Sequence, residues 1–275
     1  MKFEEYLNSL RDKTVAVMGI GVSNRPLIQL LLERGVDVTA CDKKDRKALG
    51  DIAGELEAKG CQLHLGEGYL EGLSQDLIFR TPGMRPDLPG LTAAVAGGSK
   101  LTSEMEVFFQ VCPCPMIAVT GSDGKTTTTT IIASLLKAAG HNTYLGGNIG
   151  KPLLADVYGM EPQDWAVLEL SSFQLMTMDL SPEIAVVTNL APNHLDVHKS
   201  MSEYVAAKEN IFIHQNDDEK AVFNRDNAIT HGFAETAPGR VMEFSRREEL
   251  ERGVYLKDGA IWVRNAMHER QVLPL

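Results

Sequence analysis

The chain has 275 residues, 44% hydrophobic and 23% charged, which excludes disordered and fibrous classes and leaves room for two domains. Its 27 Lys and Arg stand against 37 Asp and Glu, a formal charge of −10, so the composition supplies no basic face for nucleic acid. Any anionic ligand must then be held by local devices such as backbone amides, single lysines or metal ions.

Four cysteines, Cys41, Cys61, Cys112 and Cys114, are too few and too irregular for a disulfide framework. Cys112-Pro-Cys114 looks like half a zinc knuckle, but no second pair completes four ligands. The N-terminus, MKFEEYLNSLRDK, has no apolar core of a signal peptide, and no run approaches about 18 apolar residues. The expectation is a cytoplasmic protein with no membrane span and no nucleic-acid partner.

Strand and helix patterns alternate from the start. Thr14–Gly19 reads as a buried strand, Pro26–Glu33 as a helix with Pro in its first turn, and Val36–Cys41 as a second strand ending at Asp42. A helix near Asp45–Lys59, strands near Gln62–Leu65 and Asp76–Arg80, and a helix over Ser103–Val111 follow. Such alternation predicts βαβ units and a parallel sheet. Cys112-Pro-Cys-Pro115 breaks the pattern, and the domain boundary is placed there: 1–111, then 115–275. The second series contains Met116–Thr120, a helix Thr126–Ala139, strands Asp164–Leu170 and Glu183–Asn189, and an amphipathic helix Ser202–His214. Val254–Val263 carries Asp258-Gly259 between apolar runs, a hairpin signal. The fold class is α/β, with a Rossmann-like N-terminal domain and a P-loop-type central domain that looks unfinished at Leu275.

Four constellations carry chemistry. Thr120-Gly-Ser-Asp-Gly-Lys125-Thr126 follows a strand and opens a helix, the context in which backbone N–H groups and the helix dipole converge on phosphate. Lys125 would reach the β/γ-phosphates and the Thr126 hydroxyl would take Mg²⁺. Only Ser122 and Asp123 separate Gly121 from Gly124, so the generic four-residue spacing is not met, and the Asp123 carboxylate must point outward or toward a metal. Gly19-Ile-Gly21-Val-Ser23-Asn24 sits after the first strand, and Asp42 ends the next, as in a dinucleotide fold with Asn24 in place of its third glycine. NAD and other nucleotides remain equally possible from that fragment.

Glu169-Leu-Ser171-Ser172-Phe-Gln174 lies at the carboxyl end of a strand, where an open α/β sheet faces its ligand, and offers hard oxygen donors for Mg²⁺. Asn193-His194-Leu-Asp196-Val-His198 follows the next strand at the same edge; His194 is the better candidate, and His198 reads as a surface histidine with no role. Lys208 stands among small neighbours on its helix, and periodicity alone leaves it either solvated or functional.

Together GIGVSN, the Asp42 strand end, TPG at Thr81–Gly83, TGSDGKTTTT, GGNIG at Gly146–Gly150, ELSSFQL, NHLDVH and YVAAKENIF resemble the Mur ligases of peptidoglycan precursor synthesis. These stretches run from residue 19 to 213, and ELSSFQL with the glycine-rich N-terminal motif is most similar to the members that add D-glutamate. The resemblance implies an ATP-dependent amide ligase that joins D-glutamate to UDP-N-acetylmuramoyl-L-alanine through an acyl phosphate. It implies UDP-substrate contacts at Gly21, Ser23, Asp42, Lys43, Thr81, Asn148, Ser171 and Gln174. ATP contacts would come from Ser122, Asp123, Gly124, Lys125, Thr126, Thr127 and Thr128. Two Mg²⁺ sites would use Thr126 and Glu169 for the nucleotide, and His194 with a carbamylated Lys208 beside the substrate. Lys125, His194 and Lys208 are then the expected catalytic groups. The family's C-terminal, D-glutamate-binding domain has no counterpart here, so the chain is expected to be a fragment with little turnover, and a monomer. A dinucleotide-dependent dehydrogenase and a metal-dependent phosphohydrolase are the rival classes.

Overall fold

The computed structural model describes residues 1–192 and 198–275. The chain forms two compact units, one of Met1–Pro113 with Gly150–Pro162, the other of Cys114–Ile149 with Gln163–Leu275. The first division of the chain falls between Pro113 and Cys114. The expected second domain of 115–275 nevertheless gives up 150–162, because a 3₁₀ helix at Leu154–Gly159 packs with the first unit, where Glu104 accepts the Leu154 N–H at 2.8 Å.

In the first unit, strands β1 (Thr14–Met18), β2 (Asp37–Asp42), β3 (Gln62–Leu65), β4 (Leu77–Phe79) and β5 (Lys100–Thr102) make one sheet in the order β3-β2-β1-β4-β5. Every pairing is parallel. Helices α1 (Phe3–Asn8), α2 (Arg25–Glu33), α3 (Arg46–Leu49), α4 (Asp51–Ala58), α5 (Pro89–Ala96) and α6 (Glu104–Val111) surround it. One core cluster joins Ala16, Met18, Cys41 and Ile78 of the strands to Leu73, Met84, Leu91 and Ala94. Both faces of a parallel sheet are covered, so β1 reads as an apolar run rather than an alternation. The order reverses at β1, so a crevice opens between the carboxyl ends of β1 and β4. The single helix expected near Asp45–Lys59 is split instead into α3 and α4, because Gly50 takes φ +58 and interrupts the ladder.

In the second unit, β6 (Met116–Thr120), β7 (Thr143–Gly147), β8 (Trp165–Glu169), β9 (Ile184–Val187), β10 (Lys220–Asn224), β11 (Arg240–Ser245), β12 (Gly253–Lys257), β13 (Ala260–Arg264) and β14 (Glu269–Pro274) form a sheet ordered β14-β13-β12-β11-β10-β9-β6-β8-β7. It is parallel from β7 to β12 and ends in antiparallel β12-β13-β14. The Asp258-Gly259 hairpin is present, with φ +49 and +67 matching a type I′ turn. Helices α7 (Lys125–Ala138), α8 (Ser172–Leu175), α9 (Met201–Glu209) and α10 (Ala228–Gly232) complete it. Ile132 and Leu136 of α7 pack on Ile117, Val119 and Val186. The helix expected over Ser202–His214 is therefore shorter, its last residues continuing as turns. Among the described residues, no helix is long and apolar enough to cross a membrane.

Candidate active site

The second unit gathers its reactive groups at the carboxyl ends of β6, β8 and β9, which lie side by side in the sheet. The loop after β6 runs through Gly121 at φ +149 to Gly124 at φ +78, which stands as the left-handed N-cap of α7. A Cβ on Gly121 would run into Thr188 Oγ1, so the close approach of loop and β9 end requires glycine. Thr188 Oγ1 and Asn189 Nδ2 donate to the Asp123 carbonyl at 2.7 and 3.0 Å, and Asn189 Oδ1 accepts the Asp123 N–H at 3.1 Å. The loop is thus pre-shaped by its own neighbours. The first-turn N–H groups of α7, at Lys125, Thr126 and Thr127, have no intrahelical partner and point where an anion would lie.

Each residue of the loop has a distinct place. Asp123 and Gly124 are exposed. Ser122 is buried, its hydroxyl donating to Ala191 O, accepting Ala191 N–H and touching Tyr204 Oη. It braces the loop. Thr127 is exposed and Thr128 half-buried, whereas Thr129 and Thr130 turn their hydroxyls back to the carbonyls of Lys125 and Thr126 at 2.8 and 2.7 Å. That back-bonding accommodates the threonine run inside a helix. Lys125 Nζ donates to Gly121 O and Ser122 O, both at 2.9 Å, curled over the cradle a phosphate would fill.

Glu169, at the end of β8, is buried and faces the loop. Thr126 Oγ1 donates to its Oε2 at 2.6 Å and Asn148 Nδ2 to its Oε1 at 2.9 Å, while the Asn148 N–H bonds the Glu169 carbonyl at 2.7 Å. Gly147 makes this possible: it has φ +93, and a Cβ there would collide with the Glu169 carbonyl. Thr126 and Glu169, 43 positions apart, are therefore one oxygen-donor pair of the kind Mg²⁺ takes beside a triphosphate.

Lys208 is not a solvated helix residue. It is 1% exposed, on α9, and its Nζ donates to Thr120 Oγ1 at 2.9 Å and Gly121 O at 3.1 Å. Burial, and then the neighbouring Lys125 charge, pull its pKa down to about 7, opposed by Glu169. Such an amine is substantially neutral near neutral pH, the form that reacts with CO₂. A cavity of about 180 Å³ is lined by Gly121, Lys125, Asn148, Ser171, Ser172, Phe173, Tyr204 and Lys208.

Ser171 lies in this lining, but its hydroxyl and N–H form a capping box with Gln174 that starts α8, and Gln174 is buried in that role. His194 lies outside the described residues. His198, expected at the surface, is instead 2% exposed: Nε2 stands 2.8 Å from Ser172 Oγ and its ring stacks on Phe173 at 5.2 Å. The H-x-D-x-H spacing marked it, but its burial came from packing that periodicity does not report. Sequence reading also missed a polar cavity of about 400 Å³ lined by Asn189, Asn224, Asp226, Asn227, Arg246 and Arg247. Asparagines at the ends of successive strands, with Asn189 already bonded to the loop, were the available signal.

In the first unit, Gly19 takes φ +88 and donates its N–H to Cys41 O at 2.6 Å. Asp42 accepts the Ile20 N–H at 2.6 Å and the Lys44 N–H at 2.9 Å, so its carboxylate first shapes the glycine-rich turn and keeps lone pairs for a ligand. Asn24 donates to Met18 O at 2.7 Å, filling from a side chain the space a third glycine leaves in the dinucleotide motif. Gly21, Ser23 and Lys43 are exposed at the same edge, and Thr81 lies against Gly19 from the β4 side.

A glycine-rich strand-to-helix turn in one α/β unit and a phosphate-type loop with a buried lysine in the other define an α/β protein of the nucleotide-binding class, one unit built on a parallel sheet and the other on a mixed one. Residues 119–265 match the Mur ligase middle domain. The UDP-N-acetylmuramoylalanine–D-glutamate ligases of Clostridium novyi and Acetivibrio thermocellus are 52% identical over 255 residues and 50% over 272 residues, respectively. Those alignments cover 92% and 98% of this chain. The chain belongs to the Mur ligase family. It spans 56–58% of the length of these relatives. Among solved structures, the UDP-N-acetylmuramate:L-alanyl-gamma-D-glutamyl-meso-diaminopimelate ligase from Neisseria meningitides shares the fold at 18% identity and TM-score 0.58, over 95% of this chain and 84% of that one. MurF from Acinetobacter baumannii does so at 15% identity and TM-score 0.54, over 98% and 59%.

Proposed function

We propose that this chain supplies the UDP-substrate-binding and ATP-binding parts of an ATP-dependent amide ligase that adds D-glutamate to UDP-N-acetylmuramoyl-L-alanine. The observation that carries the reading is Lys125 and Lys208 converging on the Gly121 carbonyl beside Glu169. A loop built only to bind nucleotide has no use for a second, fully buried lysine.

In this reading the N–H groups at the start of α7 and the Lys125 ammonium receive the ATP phosphates, with Lys125 exchanging its loop carbonyls for phosphate oxygens. The polar cavity beside Asn189 takes the nucleoside portion. A carboxylate oxygen of the L-alanyl group attacks the γ-phosphorus, ADP leaves, and an acyl phosphate forms. The D-glutamate amine then attacks the carbonyl carbon, the bond to phosphate breaks, and the amide results. Lys125 balances the charge that develops on the transferring phosphoryl group. Thr126 and Glu169 fit Mg²⁺ as hard oxygen donors, and Lys208 fits carbamylation as a buried amine with a lowered pKa; Mg²⁺ supplies phosphate charge neutralisation when bound. His194 belongs to the same proposal as a second Mg²⁺ ligand. On the first unit, Gly21, Ser23, Asp42, Lys43 and Thr81 receive the UDP moiety; on the second, Asn148 and Ser171 orient the muramoyl peptide end, with Gln174 holding Ser171 through the capping box.

Titrating the chain with UDP-N-acetylmuramoyl-L-alanine, ATP and NAD tests this directly. Binding of the first two is expected. Tight NAD binding without UDP-substrate binding would favour a dehydrogenase, and phosphate release from ATP independent of the UDP-substrate would favour a phosphohydrolase.

A further inference from the structure

Arg80 heads the fully buried side chains among the described residues, at 1% exposure, and no step above uses it. A guanidinium stays charged inside a protein, so burying one is tolerated only where its donors are met. It directly follows β4, with its own N–H on the Thr102 carbonyl at 2.8 Å. Its Nη1 donates to the carbonyls of Met84 at 3.2 Å and Pro82 at 3.4 Å, the turn that carries Thr81. Its Nη2 stands 3.9 Å from Oε1 of Glu106, which is 7% exposed on α6. That helix is itself fixed by Ser103, whose Oγ caps the Glu106 N–H at 3.2 Å.

The 81–84 turn is one wall of the crevice at the β1/β4 switch point. The other wall is the glycine-rich turn: a Cβ placed on Gly19 would meet Thr81 Cβ and Cγ2 at 3.6 and 3.7 Å, ordinary contact. Asp42 pins that second wall through the Ile20 N–H. One wall is thus held by a carboxylate and the other by a cation anchored to α6.

We infer that Arg80 is a positioning residue for the UDP-linked substrate, holding the 81–84 turn against the glycine-rich turn in the shape that receives the ligand. The inference rests on the UDP-substrate reading of this unit. Arg80 touches no ligand; it sets where Thr81 and its backbone stand.

The test must separate positioning from stability. Replacing a buried ion pair by apolar residues of similar volume is often neutral or stabilising, so Arg80→Met with Glu106→Leu should keep the fold while freeing the turn. In the 275-residue chain, three readouts are compared with wild type: thermal midpoint, amide hydrogen exchange across the 81–84 turn, and affinity for UDP-N-acetylmuramoyl-L-alanine, with ATP affinity as the control. The expected result is a retained midpoint, faster exchange in the turn, an approximately tenfold loss of UDP-substrate affinity and unchanged ATP affinity. Arg80→Lys, which keeps the charge but loses the planar fork that reaches the turn carbonyls through Nη1 and Glu106 through Nη2 at once, is expected to show the same pattern more weakly. It carries the test on the same readouts should the double variant fail to fold. Wild-type affinity and exchange in a folded variant overturn the inference alone. No UDP-substrate binding by the wild-type chain overturns the substrate reading, and the inference with it.

Discussion

Lys125 and Lys208, 83 positions apart, donate to the same oxygen, the Gly121 carbonyl, at 2.9 and 3.1 Å. Burial, and then repulsion from the neighbouring Lys125, push the Lys208 amine toward its neutral form. Lys125 is half-buried at the helix start, its Nζ on the loop carbonyls of Gly121 and Ser122. The pair therefore divides into a lysine on the loop and a buried amine whose pKa lies near neutrality.

That division predicts a particular pH dependence of stability. Lys208 has a folded-state pKa of about 7 against an ordinary 10.5. Between those values the unfolded chain binds a proton that the folded chain does not, so this group makes stability rise with pH from about 7 to about 10.5. Below 7 both states are protonated and its penalty is constant and full. Lys208→Met should therefore stabilise the chain by a few kcal/mol near pH 6.5, with the advantage shrinking toward pH 10. Urea unfolding of both proteins at several pH values checks this; a Lys208→Met advantage that does not change with pH rules it out.

The same residue carries the catalytic proposal. Arg cannot form a carbamate, so Lys208→Arg should lower ligase turnover roughly 10²–10³-fold in a protein carrying the full length of the relatives. Lys208→Ala should lose comparably, and millimolar acetate or formate should restore part of it by supplying the missing carboxylate. Wild-type turnover in Lys208→Arg would remove the carbamate from the mechanism.

Much of this was legible beforehand, for physical reasons that differ by element. β1, β6 and β8 are buried on both faces, so their apolar runs stand out, and the turns after them announce themselves through glycine and Lys125-Thr126. β5, β7, β10, β11 and β14 went unread: β5 has only three residues, and β14 is exposed throughout and held by pairing with β13. The pairing of Thr126 with Glu169 came from the family resemblance alone, and the contact of Lys208 with Gly121 was invisible, because residue spacing gives the edge on which residues stand, not which side chains meet. His198 shows the limit best. Its loop position suggested solvent, and packing between Phe173, stacked on its ring, and Tyr204, edge-on to it, decided otherwise.

Gly147 offers a test of the backbone geometry that brings Asn148 to Glu169. Its φ of +93 is costly for any other residue, and an added Cβ would strike the Glu169 carbonyl, which belongs to a central strand and cannot retreat. Gly147→Ala should destabilise the chain by about 2–4 kcal/mol and weaken ATP binding in whatever remains folded. Calorimetric unfolding measures the first effect. A midpoint equal to wild type would mean that β7 can shift without cost, against the close approach described above.

Glu169 separates a structural from a metal-binding role. Its carboxylate accepts from both Thr126 Oγ1 and Asn148 Nδ2. In Glu169→Gln the amide oxygen can keep the Asn148 bond while its NH₂ faces Thr126, whose hydroxyl can turn to accept, so both contacts survive. Stability should change by only about 1 kcal/mol. ATP binding without divalent cation should hold or improve, because the negative charge beside the phosphates is gone. With Mg²⁺ the order should reverse: the variant should need far more cation for the same nucleotide affinity, and phosphoryl transfer should fall roughly 10²-fold. Titrating ATP into both proteins in EDTA and in Mg²⁺ reads the crossover. If Glu169→Gln matches wild type in both, the carboxylate serves only to tie Thr126 to Asn148, and the nucleotide cation must be held elsewhere.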